Sequence, residues 1–161
     1  GYGETFDNSD FVITEYKGDE NLLKKNLELF YKLFDRSDFV MLSNLIYPFI
    51  DSIPAIRSKK IISLIKEKND RIIVLTDDIA SKSQENPFFT LKESFKNGAD
   101  MFILMDDTLF QKMVDSLFIW LKRDEISKEE LDKKLFRIML KKEYLFNMIK
   151  RIDQTPIKIT F

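Results

Sequence analysis

The strongest chemical signal in the sequence is Thr76-Asp77-Asp78, which directly follows the apolar run Ile72–Leu75. An acidic pair at the exit of a buried strand can ligate Mg²⁺, act as a nucleophile or cap the next helix, because a carboxylate is a hard oxygen ligand, a covalent catalyst and a good acceptor for free helix N–H groups. The pattern leaves those three readings open. Asp106 and Asp107 follow a second run, Met101–Met105, but they stand directly before Thr108 and an apolar stripe that begins at Phe110, so capping is favoured there. Ser43 and Asn44 follow the run Phe39–Leu42, and a polar stretch, Asp7–Asp10, lies near the start of the chain.

What the chain lacks narrows the chemistry. Among its 161 residues there is no His and no Cys. That excludes a Ser-His triad, an imidazole proton shuttle, a thiol nucleophile, a disulfide framework, and zinc or iron–sulfur sites built on Cys or His. Acid–base work near neutral pH falls to carboxylates, Lys or Tyr. With 26 Lys+Arg against 27 Asp+Glu the net charge is -1, which gives no electrostatic reason to expect nucleic acid. No apolar run approaches the roughly 20 residues of a membrane helix. The chain begins with Gly rather than Met, so evidence on targeting is expected to be missing. Cytoplasm and a bacterial-type cell envelope both stay open as locations.

These groups need elements to hold them. Phe39–Leu42, Ile72–Leu75 and Met101–Met105 are continuous rather than alternating, as in parallel strands buried on both faces. They recur at roughly the spacing of a βαβ unit, about 30 residues. Between and after them lie helical patterns. Leu23, Leu27, Phe30 and Phe34 form one stripe after Asn21. Ser58 caps a helix carrying Ile61, Ile62 and Ile65, Thr90 with Glu93 reads as a capping box, and Gly98 suits a helix C-terminus. Phe110, Met113, Val114, Leu117 and Leu121 define a long amphipathic helix. Ser127 with Glu130 reads as a further capping box, with Leu131, Leu135 and Ile138 facing inward, and another helical piece is expected near Glu143–Arg151. The residues after Pro156 are expected to be extended. Phe88 and Phe89 are expected in a loop, Lys133–Lys134 and Lys141–Lys142 on solvated faces, and residues 1–18 in a loop. The fold class is α/β with parallel strands. In such folds functional groups collect at the C-terminal ends of strands, which puts Asn44, Asp77, Asp78, Asp106 and Asp107 on one rim.

The stretch Val40–Asp107 resembles glycoside hydrolase family 3, especially its bacterial β-N-acetylglucosaminidase branch. The likeness is carried by VMLSNLIYP (Val40–Pro48), Asp51, Pro54-Ala55, Ser58, IIVLTDDIAS (Ile72–Ser81) and NGADMFILMDD (Asn97–Asp107). Glu125–Leu145 is similar to that family's closing helix, with Arg137 and Ile138 in an Arg-Ile-hydrophobic-x-x-Lys pattern, and Gly1–Asp10 is similar to its catalytic loop. The resemblance implies a partial (β/α)₈ barrel, with this chain supplying the last three parallel strands and their flanking helices. Residues 1–18 would be a catalytic-loop-like segment, and residues 19–161 the βα units and closing helices. A full barrel takes about 250 residues, so an upstream half or another chain would complete the fold.

The resemblance also implies roles. Asp77 would be the nucleophile of a retaining glycosidase acting on terminal β-linked N-acetylglucosamine in oligosaccharides or cell-wall fragments. Asp10 would be the general acid, and Tyr2, Asn8, Asn44 and Asp78 would be substrate-binding groups. No metal or cofactor is implied. The sequence departs from the family where its loop Asp is Asn8 and its loop His is Asp10, and where two other His positions are Tyr2 and Asn44. Asn8-Ser9-Asp10 equally suits an ordinary turn. Two other readings follow: a non-catalytic carbohydrate-binding or structural relative, and an α/β domain holding Mg²⁺ on Asp77, Asp78 and Asp106.

Overall fold

Each helix is set by a local signal at its start. In the computed structural model, which describes residues 4–153, Asp19 caps α1 (Glu20–Leu33) by accepting the Leu22 N–H at 2.8 Å. Ser58 caps α2 (Lys59–Lys68) through the Ile61 N–H at 3.1 Å. The third helix, α3 (Pro87–Lys96), starts earlier than the Thr90–Glu93 pair suggested. Asn86 caps it, accepting from Phe88 and Phe89, and Pro87 occupies the first turn, where a missing N–H costs nothing. Phe88 and Phe89 are therefore helical rather than in a loop. Thr90 lies inside the helix, and its hydroxyl donates to Gln84 Oε1 at 3.1 Å.

Gly98 ends α3 as expected. Its φ of 109° belongs to the region that favours glycine. The Gly98 N–H reaches the Phe95 carbonyl and the Ala99 N–H reaches that of Ser94, the paired bonds of a Schellman ending.

The three apolar runs form one parallel sheet of order β2-β4-β5, from β2 (Phe39–Leu42), β4 (Ile73–Asp78) and β5 (Met101–Ile103). The last strand is shorter than the Met101–Met105 run, and the middle one is longer, taking in Thr76, Asp77 and Asp78. The register between β4 and β5 slips between Leu75 and Asp78. Such an irregularity re-aims side chains at a strand end. Within residues 1–18 there is a short strand, β1 (Thr14–Glu15), which pairs in parallel with β3 (Leu45–Ile46). The described chain is thus α/β, with parallel strands in two sheets and flanking helices.

Two apolar clusters hold the layers together. Phe34, Leu42, Ile56, Ile62, Ile65, Ile72, Val74 and Ala99 pack α2 against the sheet. Ile79, Leu91 and Met113 join α3 to α4 (Phe110–Lys122). Burying an Ile or Leu fully is worth about 1.5–3 kcal/mol.

The last helix, α5 (Lys128–Asp153), is continuous, so the piece near Glu143–Arg151 is its second half rather than a separate element. Ser127 accepts the Glu130 N–H at 3.3 Å at its start. Leu131 and Ile138 are half-buried as expected, but the inner face differs at Leu135. Leu135 is half exposed, while Lys134 is buried and donates to the Ala99 carbonyl at 2.8 Å. Arg137 grips Asp100, and Lys141 pairs with Asp38. The expectation of solvated lysines therefore fails at Lys134 and Lys141. These two bind a carbonyl and a carboxylate just before β5 and β2, so α5 runs beneath the strand starts. No described helix is long and apolar enough to cross a membrane. Tyr2 and the residues after Pro156 lie outside the described residues.

Candidate active site

Asp77 stands near the C-terminal end of β4, on the middle strand of its sheet. Its half-buried carboxylate accepts the Asp78 N–H at 2.8 Å. Burial raises its pKa above the usual carboxylate value, and the negative charges of Asp10 and Asp78 push the same way, outweighing that N–H bond. The charge of Asp10, 67 positions earlier in the sequence, therefore acts on Asp77.

Asp78 does different work. One carboxylate oxygen accepts the Ala80 N–H and the Met105 N–H, each at 3.1 Å. It ties the exit of β4 to the chain leaving β5. Asp106 caps a short turn by accepting the Thr108 N–H at 3.0 Å, as its position before Thr108 suggested. Among the described residues no three carboxylates converge as a metal site, so Asp77, Asp78 and Asp106 do not form the Mg²⁺ set considered from sequence.

The loop with Asn8, Ser9 and Asp10 is a tight turn. Asn8 Oδ1 accepts the Asp10 N–H at 2.9 Å, and the Asn8 carbonyl accepts from Phe11 and Val12. Ser9 is fully buried. The Asp10 carbonyl in turn accepts the Ser83 N–H at 3.2 Å, so the turn is docked on the segment following β4.

Asn44 is fully buried. Its amide donates to the Asp78 carbonyl at 3.3 Å and to Ser81 Oγ at 3.2 Å, and its oxygen accepts from Gln84 Nε2 at 3.1 Å. The Ser81 and Ser83 hydroxyls are 2.9 Å apart, and Thr90 completes the chain through Gln84. Sequence reading singled out Asn44 but missed Ser83, Gln84 and this role for Thr90. The signal present was Ser81-Lys82-Ser83-Gln84, a polar run that stays buried at three of its four positions.

On the opposite end of the sheet, Asp100 is a structural carboxylate. It accepts from Lys66 at 2.6 Å, from the Val74 N–H at 3.0 Å and from Arg137. Burial pushes its pKa up, but these donors more than offset that and hold it below the ordinary value.

The fold is shared with known structures. CbsA from Thermotoga neapolitana superimposes with a TM-score of 0.78 at 23% identity, over 91% of this chain and 35% of that one. The β-N-acetylglucosaminidase from Thermotoga maritima gives 0.70 at 21%, over 78% of this chain and 30% of that one. LpqI of M. tuberculosis gives 0.75 at 19%, over 86% and 44%. The chain therefore spans about a third to under a half of the length of these structures. No family model matches the sequence, and no curated protein does. At these identities the likeness establishes the fold, a partial α/β domain like part of the glycoside hydrolase family 3 structures.

Proposed function

We propose that this chain is the C-terminal part of a (β/α)₈ barrel of a retaining glycoside hydrolase that removes terminal β-linked N-acetylglucosamine from oligosaccharides or cell-wall fragments. The observation that carries this reading is the Asp10–Asp77 pair. Asp77 is half-buried near the C-terminal end of the middle strand, Asp10 lies on the turn docked to the loop after that strand, and the charge of Asp10 acts on Asp77.

In this reading ionised Asp77 attacks the anomeric carbon as the glycosidic C–O bond breaks. Asp10 gives its proton to the departing oxygen, leaving a covalent glycosyl-enzyme. Asp10, now ionised, then takes a proton from water, which attacks the same carbon and releases Asp77 as a carboxylate. Retention needs the two carboxyl groups about 5–5.5 Å apart. Tyr2 and Asn8 would contact the sugar from the loop, while Asn44 and Asp78 would contribute by holding the rim. Further βα units, pairing with the outer edge of β2, would complete the barrel and the sugar subsite.

The test is hydrolysis of an aryl β-N-acetylglucosaminide by the full-length protein, with Asp77→Asn as its control. Equal turnover by both forms would remove Asp77 from the mechanism. A second reading, a carbohydrate-binding relative without turnover, is favoured by the hydrogen bonds within the Asn8–Asp10 turn and by the buried amide of Asn44. Calorimetric sugar binding without hydrolysis would select it.

A further inference from the structure

Asn44, Ser81, Ser83, Gln84 and Thr90 are all buried, and their side chains bond to one another. A connected set of this size in a core is unusual unless its members fix a geometry, because each polar group needs a partner to offset lost hydration. Gln84 is its hub. Its Nε2 donates to Asn44 Oδ1 at 3.1 Å, and its Oε1 accepts the Thr90 hydroxyl at 3.1 Å. Thr90 is on α3 and Asn44 follows β2, so Gln84 joins a helix, a neighbouring strand exit and its own loop. The loop meets the N-terminal turn where the Ser83 N–H donates to the Asp10 carbonyl at 3.2 Å and where the Lys82 ammonium lies 5.3 Å from the Phe11 ring centroid. Ser83 is the neighbour of Gln84 and shares its hydroxyl with Ser81.

We propose that Gln84, with Asn44 and Thr90, is a positioning residue that locks the loop after β4 so that the Ser83 N–H holds Asp10 opposite Asp77. This deepens the two-carboxylate reading, yet its immediate consequence is electrostatic and does not need turnover. If the loop loosens, Asp10 moves away and Asp77 loses one source of its raised pKa.

The experiment uses Gln84→Met, close in volume, and Thr90→Val, which replaces by a methyl group the hydroxyl that bonds Gln84. Far-UV circular dichroism identifies which variants are folded. In a folded variant the Asp77 carboxyl titration, followed by NMR, is expected to move to lower pH. The Ser83 amide should lose about tenfold or more of its protection from hydrogen exchange, as for one buried hydrogen bond. In an Asp10→Asn background the same substitution should leave Asp77 almost unmoved, because the two changes act through one group. An Asp77 midpoint that stays in place in a folded variant overturns the proposal. So does a shift of equal size in the Asp10→Asn background, which would mean that the network acts on solvent exposure alone. Hydrolysis is measured separately. Absent turnover in the parent with the Asp77 shift present defeats the hydrolase reading and leaves the positioning role standing.

Discussion

In the proposed mechanism Asp77 is under two opposing demands. A nucleophile must be ionised, whereas burial and the charge of Asp10 favour its protonated form. The active form carries one proton, on Asp10, and a charge on Asp77, so kcat/KM is predicted to fall as pH rises and that proton leaves the pair. Asp10→Asn should abolish that fall while slowing the step that protonates the leaving group, by about 10²–10⁴-fold in kcat. A pH–rate profile of both forms reads the two effects separately. At this scale the sequence was informative about Asp77, since a short apolar run followed by Thr-Asp-Asp marks a strand exit. It was silent on Gln84, whose partner Asn44 lies 40 positions away and becomes a neighbour only once the sheet has formed.

The helices show why pattern reading succeeds for caps and fails for inner faces. Ser58 and Gly98 act through bonds within a few residues, so local sequence displays them. The inner face of α5 is decided by what lies beneath it. Backbone and carboxylate acceptors at the strand starts attract Lys134, Arg137 and Lys141, and the apolar Leu135 turns outward. Two predictions follow from that contact. Asp100→Asn leaves Lys66 and Arg137 without their carboxylate and should cost about 3–5 kcal/mol in urea unfolding. Lys134 has its pKa lowered to about 8, chiefly by burial. In the unfolded chain it holds its proton up to its ordinary 10.5, so the unfolded state binds more protons between these values. Stability from this group accordingly rises as pH goes from about 8 toward 10.5, and Lys134→Met should abolish that rise in unfolding curves taken across the window.

At the scale of the molecule, the sheet and α1 leave apolar side chains exposed among the described residues. On β2, Phe39 is 44% and Met41 is 59% exposed, and Leu29 and Leu33 of α1 are likewise exposed. Parallel sheets ordinarily have both faces covered, and an open apolar edge promotes association. The 161-residue chain alone should therefore self-associate, and Met41→Lys should reduce this in sedimentation velocity while changing stability by no more than about 0.5 kcal/mol. Unchanged association would mean that the β2 edge is not the surface responsible. The strand order was legible from three apolar runs, but what covers their outer faces was not, because that depends on neighbours rather than on the runs themselves. The central claim is that a carboxylate pair at the rim of this sheet cleaves N-acetylglucosaminides through Asp77. It is tested most directly by mass spectrometry of the full-length protein after incubation with an activated 5-fluoro glycoside of N-acetylglucosamine, which keeps the 2-acetamido group and slows release of a covalent intermediate. The account predicts one added glycosyl mass on the peptide carrying Asp77 and none in Asp77→Asn. A label on another residue, or hydrolysis that proceeds undiminished in Asp77→Asn, would contradict it.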